Sequence, residues 1–71
     1  MTRFSSGPRI REARIAAGLS VEEVALAVGR TAYSIHGYEG GRIVPPIHVL
    51  AIIAQLVGRS IDDLLAEQVP A

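Results

Sequence analysis

The sequence contains no cysteine, no tryptophan and no lysine, and only 4% of its 71 residues are aromatic. Without cysteine, neither disulfide bonds nor thiolate metal sites can stabilise the fold. Stability must come from packed aliphatic side chains, because 49% of the residues are hydrophobic, chiefly Ala, Val, Ile and Leu. A chain of this length has room for one domain with a modest core, and its composition suits short packed helices.

Long apolar runs are also absent. A membrane-spanning helix needs about 18 or more consecutive apolar residues, and no such run occurs. Residues 1–7 carry one arginine and no apolar stretch, so we do not expect a signal peptide. These absences predict a cytoplasmic protein.

The formal net charge is zero, which argues mildly against strong binding to nucleic acid. The charges are unevenly distributed, however. Residues 1–42 hold six arginines against four glutamates, whereas residues 43–71 hold one arginine against three acidic residues. A polyanion would therefore be attracted to the N-terminal part of the chain.

Local signals predict five helices. The first helix begins near Pro8 and ends at Gly18, in keeping with the preference for proline at helix starts and glycine at helix ends. The second begins at Ser20, which has the capping-box spacing to Glu23, and ends at Gly29.

The remaining three helices follow the same kind of punctuation. The third begins at Thr31, a good N-cap, and ends before the two glycines at 40–41. Two prolines at 45–46 force an extended stretch before the fourth helix, about Ile47–Val57. Ser60 caps the fifth helix.

The second and third helices are joined by a very short turn, since a single residue separates Gly29 from Thr31. Helices joined in this way must cross steeply, and Ala25 is small where their backbones would meet. Ile35 and Tyr38 can anchor the third helix so that its other face projects outward. This is the helix-turn-helix arrangement, in which the second helix of the pair enters the major groove of DNA.

A set of residues spread over all five segments carries a family resemblance: Ile10-Arg11-Glu12-Ala13-Arg14, Gly18-Leu19-Ser20, Glu22-Glu23-Val24-Ala25, Val28-Gly29, Ile35, Glu39, Gly41-Arg42, Pro45, Gly58, Ser60 and Ile61-Asp62-Asp63-Leu64-Leu65. With them the chain resembles the lambdoid phage repressor and Cro family, the XRE type of helix-turn-helix protein. The resemblance implies an all-α, compact five-helix bundle over residues 8–67, with an N-terminal arm at 1–7 and a frayed tail at 68–71. It also implies a structural ion pair between Arg14 and Glu39.

The resemblance places the base-reading positions at Ala32, Tyr33 and Gly37, with Ser34 and His36 nearby. Relatives carry residues there whose polar edges pair with bases, whereas Ala32 offers a methyl group and Gly37 only close approach. We therefore expect few direct contacts to base edges, and a sequence specificity that depends in part on DNA shape.

Phosphate contacts are expected from the starts of the second and third helices and from nearby arginines: Ser20, Val21, Arg30, Thr31, Arg42, Arg9 and Arg11. Arg42 matches a common phosphate contact of the family. Val21 stands where relatives often carry glutamine, so only its backbone N–H is available. Each arginine taken singly could equally be a solvated surface charge.

The fourth helix is apolar on all sides, which a domain this small cannot bury alone. The resemblance places Ile47, Leu50, Ile53 or Ala54, and Val57 in the core. It leaves no place there for Val49, Ile52 and Leu56. They predict a homodimer interface, unless they are scattered surface residues.

Together these features predict a sequence-specific, double-stranded-DNA-binding transcriptional repressor that acts as a homodimer on a palindromic operator. The alternative is a protein-interaction module of the same fold that has lost DNA binding, which would fit the zero net charge and Val21. We expect no enzymatic activity, cofactor or small-molecule ligand. His36 and His48 have no third metal ligand at a matching spacing, and Asp62-Asp63 suits a helix N-terminus.

Overall fold

The computed structural model describes residues 3–4, 7–65 and 67–68. Five helices run in chain order as α1 (Gly7–Ala16), α2 (Val21–Val28), α3 (Ala32–Glu39), α4 (Ile47–Val57) and α5 (Ile61–Leu64). Two short strands, β1 (Arg3–Phe4) and β2 (Glu67–Gln68), flank them. The predicted all-α class and the order of five helices are confirmed.

The helix boundaries follow from side-chain caps. Ser20 and Glu23 form the predicted capping box, in which each side chain accepts a hydrogen bond from the other residue's backbone N–H, at 3.0 and 2.7 Å. Thr31 caps α3 by accepting the backbone N–H of Ser34 at 3.1 Å. Because these contacts span only three residues, the sequence pattern was enough to predict them.

The two ends of the described chain meet in an antiparallel pair. Arg3 lies opposite Gln68, and Phe4 lies opposite Glu67. Gln68, the first residue of the tail that was expected to be frayed, is paired with Arg3, whereas residues 69–71 of that tail lie outside the described part of the chain. Two residues per strand carry no alternating pattern long enough to be read from the sequence.

The core is built from aliphatic residues and one tyrosine. Every helix contributes to it: Ile10, Ala13, Val21, Val24, Ala25, Val28, Ile35, Tyr38, Val49, Leu50, Ile53, Ala54 and Leu64. Helix α3 packs against both α1 and α2, which holds one of its faces firmly while the other faces outward.

Helix α4 buries Leu50, Ile53 and Ala54 as the resemblance implied, but it differs from that expectation at two positions. Val49, expected at a dimer interface, is only 1% exposed, whereas Ile47, expected in the core, is 63% exposed. The expectation for Val49 is wrong because α4 packs against α1, α2 and α5. Burial of Val49 and Leu50 together with Ile53 and Ala54 defines its inner face.

None of the described helices has the length and apolar character that would be needed to cross a membrane.

Candidate nucleic-acid interface

The turn between α2 and α3 is built around Gly29. This glycine has a left-handed backbone conformation, with φ 71° and ψ 33°, which a residue with a side chain adopts only at a cost. Its neighbour Arg30 donates its backbone N–H to the carbonyl of Ala25 at 2.9 Å. The turn therefore folds back on the last turn of α2, and Thr31 starts α3 immediately afterwards.

Helix α3 separates into an anchored face and an outward face. Ile35 is fully buried and Tyr38 is 4% exposed. On the other face Tyr33 is 72% exposed, and His36, three residues further along, is exposed as well. These two side chains stand one turn apart on one side of the helix, so both are accessible to a ligand that approaches α3.

Two other predicted base-reading residues are less accessible. Ala32 is partly buried and packs against the core. Ser34 is partly buried, and its hydroxyl accepts a hydrogen bond from the hydroxyl of Thr31 at 3.1 Å. Both lie at the N-terminal end of α3, beside the exposed ring of Tyr33.

Gly37 is buried, contrary to expectation, although it lies one turn after Tyr33 on the same side of α3. A Cβ atom placed on it would lie 2.5 Å from Cδ1 of Ile43. The expectation failed because the loop after α3 folds back and covers this part of the helix. Sequence patterns carry no signal for such a contact, since it depends on the path of an irregular loop.

The predicted phosphate-contacting residues fall into two groups. Arg30, Thr31 and Arg42 are exposed around the two ends of α3. Val21, in contrast, is 8% exposed and belongs to the core. The hydroxyl of Ser20 is engaged in the capping box of α2.

Arg9 and Arg11 of α1, both predicted to contact phosphate, lie in different surroundings. Arg9 pairs with Asp63 of α5 at 3.7 Å. Arg11 is exposed and lines a groove that also includes Glu39. The structure therefore does not group Arg9 with the arginines that flank α3.

His48 is a neighbour of the turn that sequence reasoning did not place there. Its Nε2 atom lies 3.4 Å from Nη2 of Arg30. A guanidinium only donates hydrogen bonds, so Nε2 of His48 would be the acceptor in this contact.

The predicted ion pair between Arg14 and Glu39 is present in the structure. The Arg14 guanidinium donates from Nε and Nη2 to the two carboxylate oxygens at 2.6 and 3.1 Å, and from Nη1 to the Leu19 carbonyl at 2.9 Å. The two side chains are only 13% and 6% exposed. The hydrogen bonds to Glu39 raise the pKa of Arg14 above its ordinary value, although burial opposes this shift.

This pair ties α1 to the C-terminal end of α3, and the close approach of the two helices supports it. A Cβ atom on Gly7, the first residue of α1, would lie 2.6 Å from the carbonyl oxygen of Glu39. The position of α3 is therefore set from both ends: by the turn at Gly29 and by α1 at Glu39.

A family model described as a helix-turn-helix domain matches residues 7–68 of this chain. The chain belongs to the XRE-type helix-turn-helix family. The arrangement of α2 and α3 is therefore the helix-turn-helix of a DNA-binding regulator.

This helix-turn-helix protein is similar in structure to the restriction-modification controller protein C.AhdI from Aeromonas hydrophila, with a TM-score of 0.76 and 29% sequence identity. The match covers 83% of this chain and 86% of the controller protein. No curated protein sequence matches the chain.

Proposed function

We propose that this helix-turn-helix protein is a transcriptional repressor that binds a palindromic operator as a homodimer. The proposal rests on α3, which we take as the recognition helix. Ile35 and Tyr38 anchor α3 in the core, while Tyr33 and His36 are exposed. Similarity to a restriction-modification controller favours a regulatory role over a structural one.

Arginines at both ends of α3 suit the dimensions of DNA. Arg30 precedes the helix and Arg42 follows it, and both are exposed. Eight helical residues span about 12 Å, and the major groove of B-DNA is about 12 Å wide. Arg30 and Arg42 are therefore available to bind phosphates of a duplex whose major groove holds α3.

Base readout by a single copy would be sparse. With Gly37 buried and Ala32 partly buried, Tyr33 and His36 are the exposed side chains of the base-reading set. A two-fold dimer presents this set twice, to half-sites about 10 base pairs apart, and so doubles a weak discrimination.

The surface that suits a second copy lies along α4. Ile52 is 40% exposed and Leu56 is 38% exposed. Together with Ala27 of α2 and Gln55 they line a shallow depression, and none of the four residues is charged. Contact between two such surfaces would remove both isoleucines and both leucines from water without burying a charge.

Binding to DNA is tested by fluorescence anisotropy with two labelled duplexes, the DNA upstream of the protein's own coding sequence and a mixed sequence of equal length. We expect affinity for both to fall between about 50 and 200 mM salt. Arg42→Ala should weaken both complexes alike and reduce the slope of log K against log salt by about 1. If micromolar protein binds neither duplex at low salt, the proposal is wrong and the interaction module is favoured.

The dimer is tested by light scattering on the wild type and on Ile52→Glu. A dimeric parent and a monomeric variant are expected, because the new carboxylate would be buried without a partner. Val44→Glu is the matched control, since Val44 is 87% exposed outside this surface and its variant should remain dimeric. A wild type that is already monomeric, or an Ile52→Glu variant that stays dimeric, contradicts the proposed interface.

A further inference from the structure

We infer that Gly37 and Ile43 form a joint that holds Arg42 in place for DNA, although neither residue of the joint contacts DNA itself. The inference rests on the proposed role of Arg42 as a phosphate ligand. Gly37 is thereby a positioning residue of the recognition helix. Because it has no side chain, Ile43 can pack directly against the backbone of α3.

The side chain of Ile43 occupies the space that a side chain at position 37 would need. A Cβ atom on Gly37 would lie 2.5 Å from Cδ1, 2.9 Å from Cγ1 and 3.4 Å from Cβ of Ile43. The first two separations are too short for non-bonded carbon atoms. Ile43 therefore rests directly on the backbone of α3, and any side chain at position 37 would force the isoleucine side chain to move.

The same glycine also holds the backbone of the loop. Arg42 and Ile43 both donate their N–H groups to the carbonyl oxygen of Gly37, at 3.0 and 3.1 Å. Gly41, with φ 78°, turns the chain back so that both groups can reach it. One residue of α3 thus fixes the main chain on each side of the Arg42 Cα atom.

A second glycine accommodates the side chain of Arg42. A Cβ atom on Gly40 would lie 3.0 Å from Nη1 and 3.9 Å from Cζ of Arg42. The guanidinium therefore lies along the last turn of α3, where the carbonyl end of the helix also attracts a cation. Before any phosphate arrives, the backbone of Arg42 is fixed by its hydrogen bonds and its charged end lies against the last turn of α3.

Holding Arg42 in advance affects binding because a mobile arginine must be ordered when it meets a phosphate. An alanine at position 37 would displace Ile43 and loosen the two hydrogen bonds to the loop. The arginine would keep its charge but lose its fixed position, so DNA binding should weaken while α2 and α3 stay folded.

The test measures anisotropy titrations of the mixed-sequence duplex over a range of salt concentrations for the wild type, Gly37→Ala, Arg42→Ala and the double variant of both. We expect Gly37→Ala to raise the dissociation constant roughly three- to tenfold, the ordering cost of one long side chain. Adding Arg42→Ala to Gly37→Ala should have less effect than Arg42→Ala has in the wild type.

Two further variants separate positioning from a general loss of structure. Gly37→Ala combined with Ile43→Ala should bind more tightly than Gly37→Ala alone, because the new methyl group then fills the space that the isoleucine has left. Val49→Ala is the matched control, since it weakens the core without touching the loop, and it should retain wild-type affinity while folded.

If Gly37→Ala fails to fold by circular dichroism, Ile43→Ala alone serves instead, because it empties the joint without a collision. The inference is overturned if a folded Gly37→Ala variant, or Ile43→Ala in its place, keeps the affinity and salt slope of the wild type while Arg42→Ala reduces both the affinity and the slope. A wild type that binds no DNA would refute the proposed function itself, which is a different outcome.

Discussion

Replacing Glu39 by glutamine should sharply destabilise the domain. The carboxylate accepts two hydrogen bonds from Arg14, at 2.6 and 3.1 Å, in a site where its side chain is only 6% exposed. Glutamine keeps the shape but offers one oxygen and one NH₂ group, so a donor would face a donor of the guanidinium. Arg14 would keep its charge, one hydrogen bond to the remaining oxygen and its bond to the Leu19 carbonyl, but it would lose its counter-charge.

The magnitude follows from the cost of leaving a largely buried charge without its partner, about 3–5 kcal/mol. For a chain of 71 residues the whole free energy of unfolding is expected to be about 4–10 kcal/mol. The loss is therefore a large share of the total. It should release the C-terminal end of α3 from α1, since this pair joins the two helices.

Urea unfolding followed by circular dichroism gives the difference in free energy between the variant and the wild type. Glu12→Gln is the matched control: Glu12 is exposed on the same helix as Arg14, so its variant should change stability by less than about 0.5 kcal/mol. Arg14→Met combined with Glu39→Leu should recover much of the loss, because no unpaired charge is then buried. A loss below about 1 kcal/mol for Glu39→Gln would refute the reasoning, because removing one partner of a largely buried ion pair leaves the other charge without its counter-charge.

The pH dependence of this difference has a definite sign. The hydrogen bond to Glu39, opposed in part by burial, raises the pKa of Arg14 in the folded state above its value in the unfolded chain. A raised pKa contributes stability at every pH below the unfolded value, and the contribution is lost only as pH rises through the folded value. The difference between Glu39→Gln and the wild type should therefore be the same at about pH 6 and about pH 9.

Further predictions concern the two faces of α4, the capping box and the recognition helix. Val49→Ala should lower the free energy of unfolding by about 2 kcal/mol in a urea titration, since it removes two buried methyl groups and leaves a cavity; a loss below about 0.5 kcal/mol would place Val49 outside the core. Ser20→Ala should lower it by about 1 kcal/mol, because the Glu23 N–H loses its acceptor, and an unchanged urea midpoint would contradict the cap. Tyr33→Ala should reduce the ratio of affinities for the upstream and mixed-sequence duplexes, whereas an unchanged ratio would remove Tyr33 from base reading.

Local contacts were determined by the sequence alone. Ser20 with Glu23, Thr31 with Ser34, and the left-handed Gly29 define the helix-turn-helix, because each of these contacts involves residues close together in the chain. The pairing of Arg14 with Glu39 joins distant residues and was accessible only through the family resemblance.

Tertiary structure decided what local patterns leave undetermined. Helix α4 has only two polar residues, His48 and Gln55, so the sequence leaves several apolar faces to choose from. Packing against three other helices buried Val49 and left Ile47 exposed. Gly37 is covered by Ile43, which belongs to a loop whose path no short-range sequence pattern predicts. Hydrophobic periodicity predicts a helix and its ends. Which neighbour each face of that helix contacts depends on how all the helices and loops pack together.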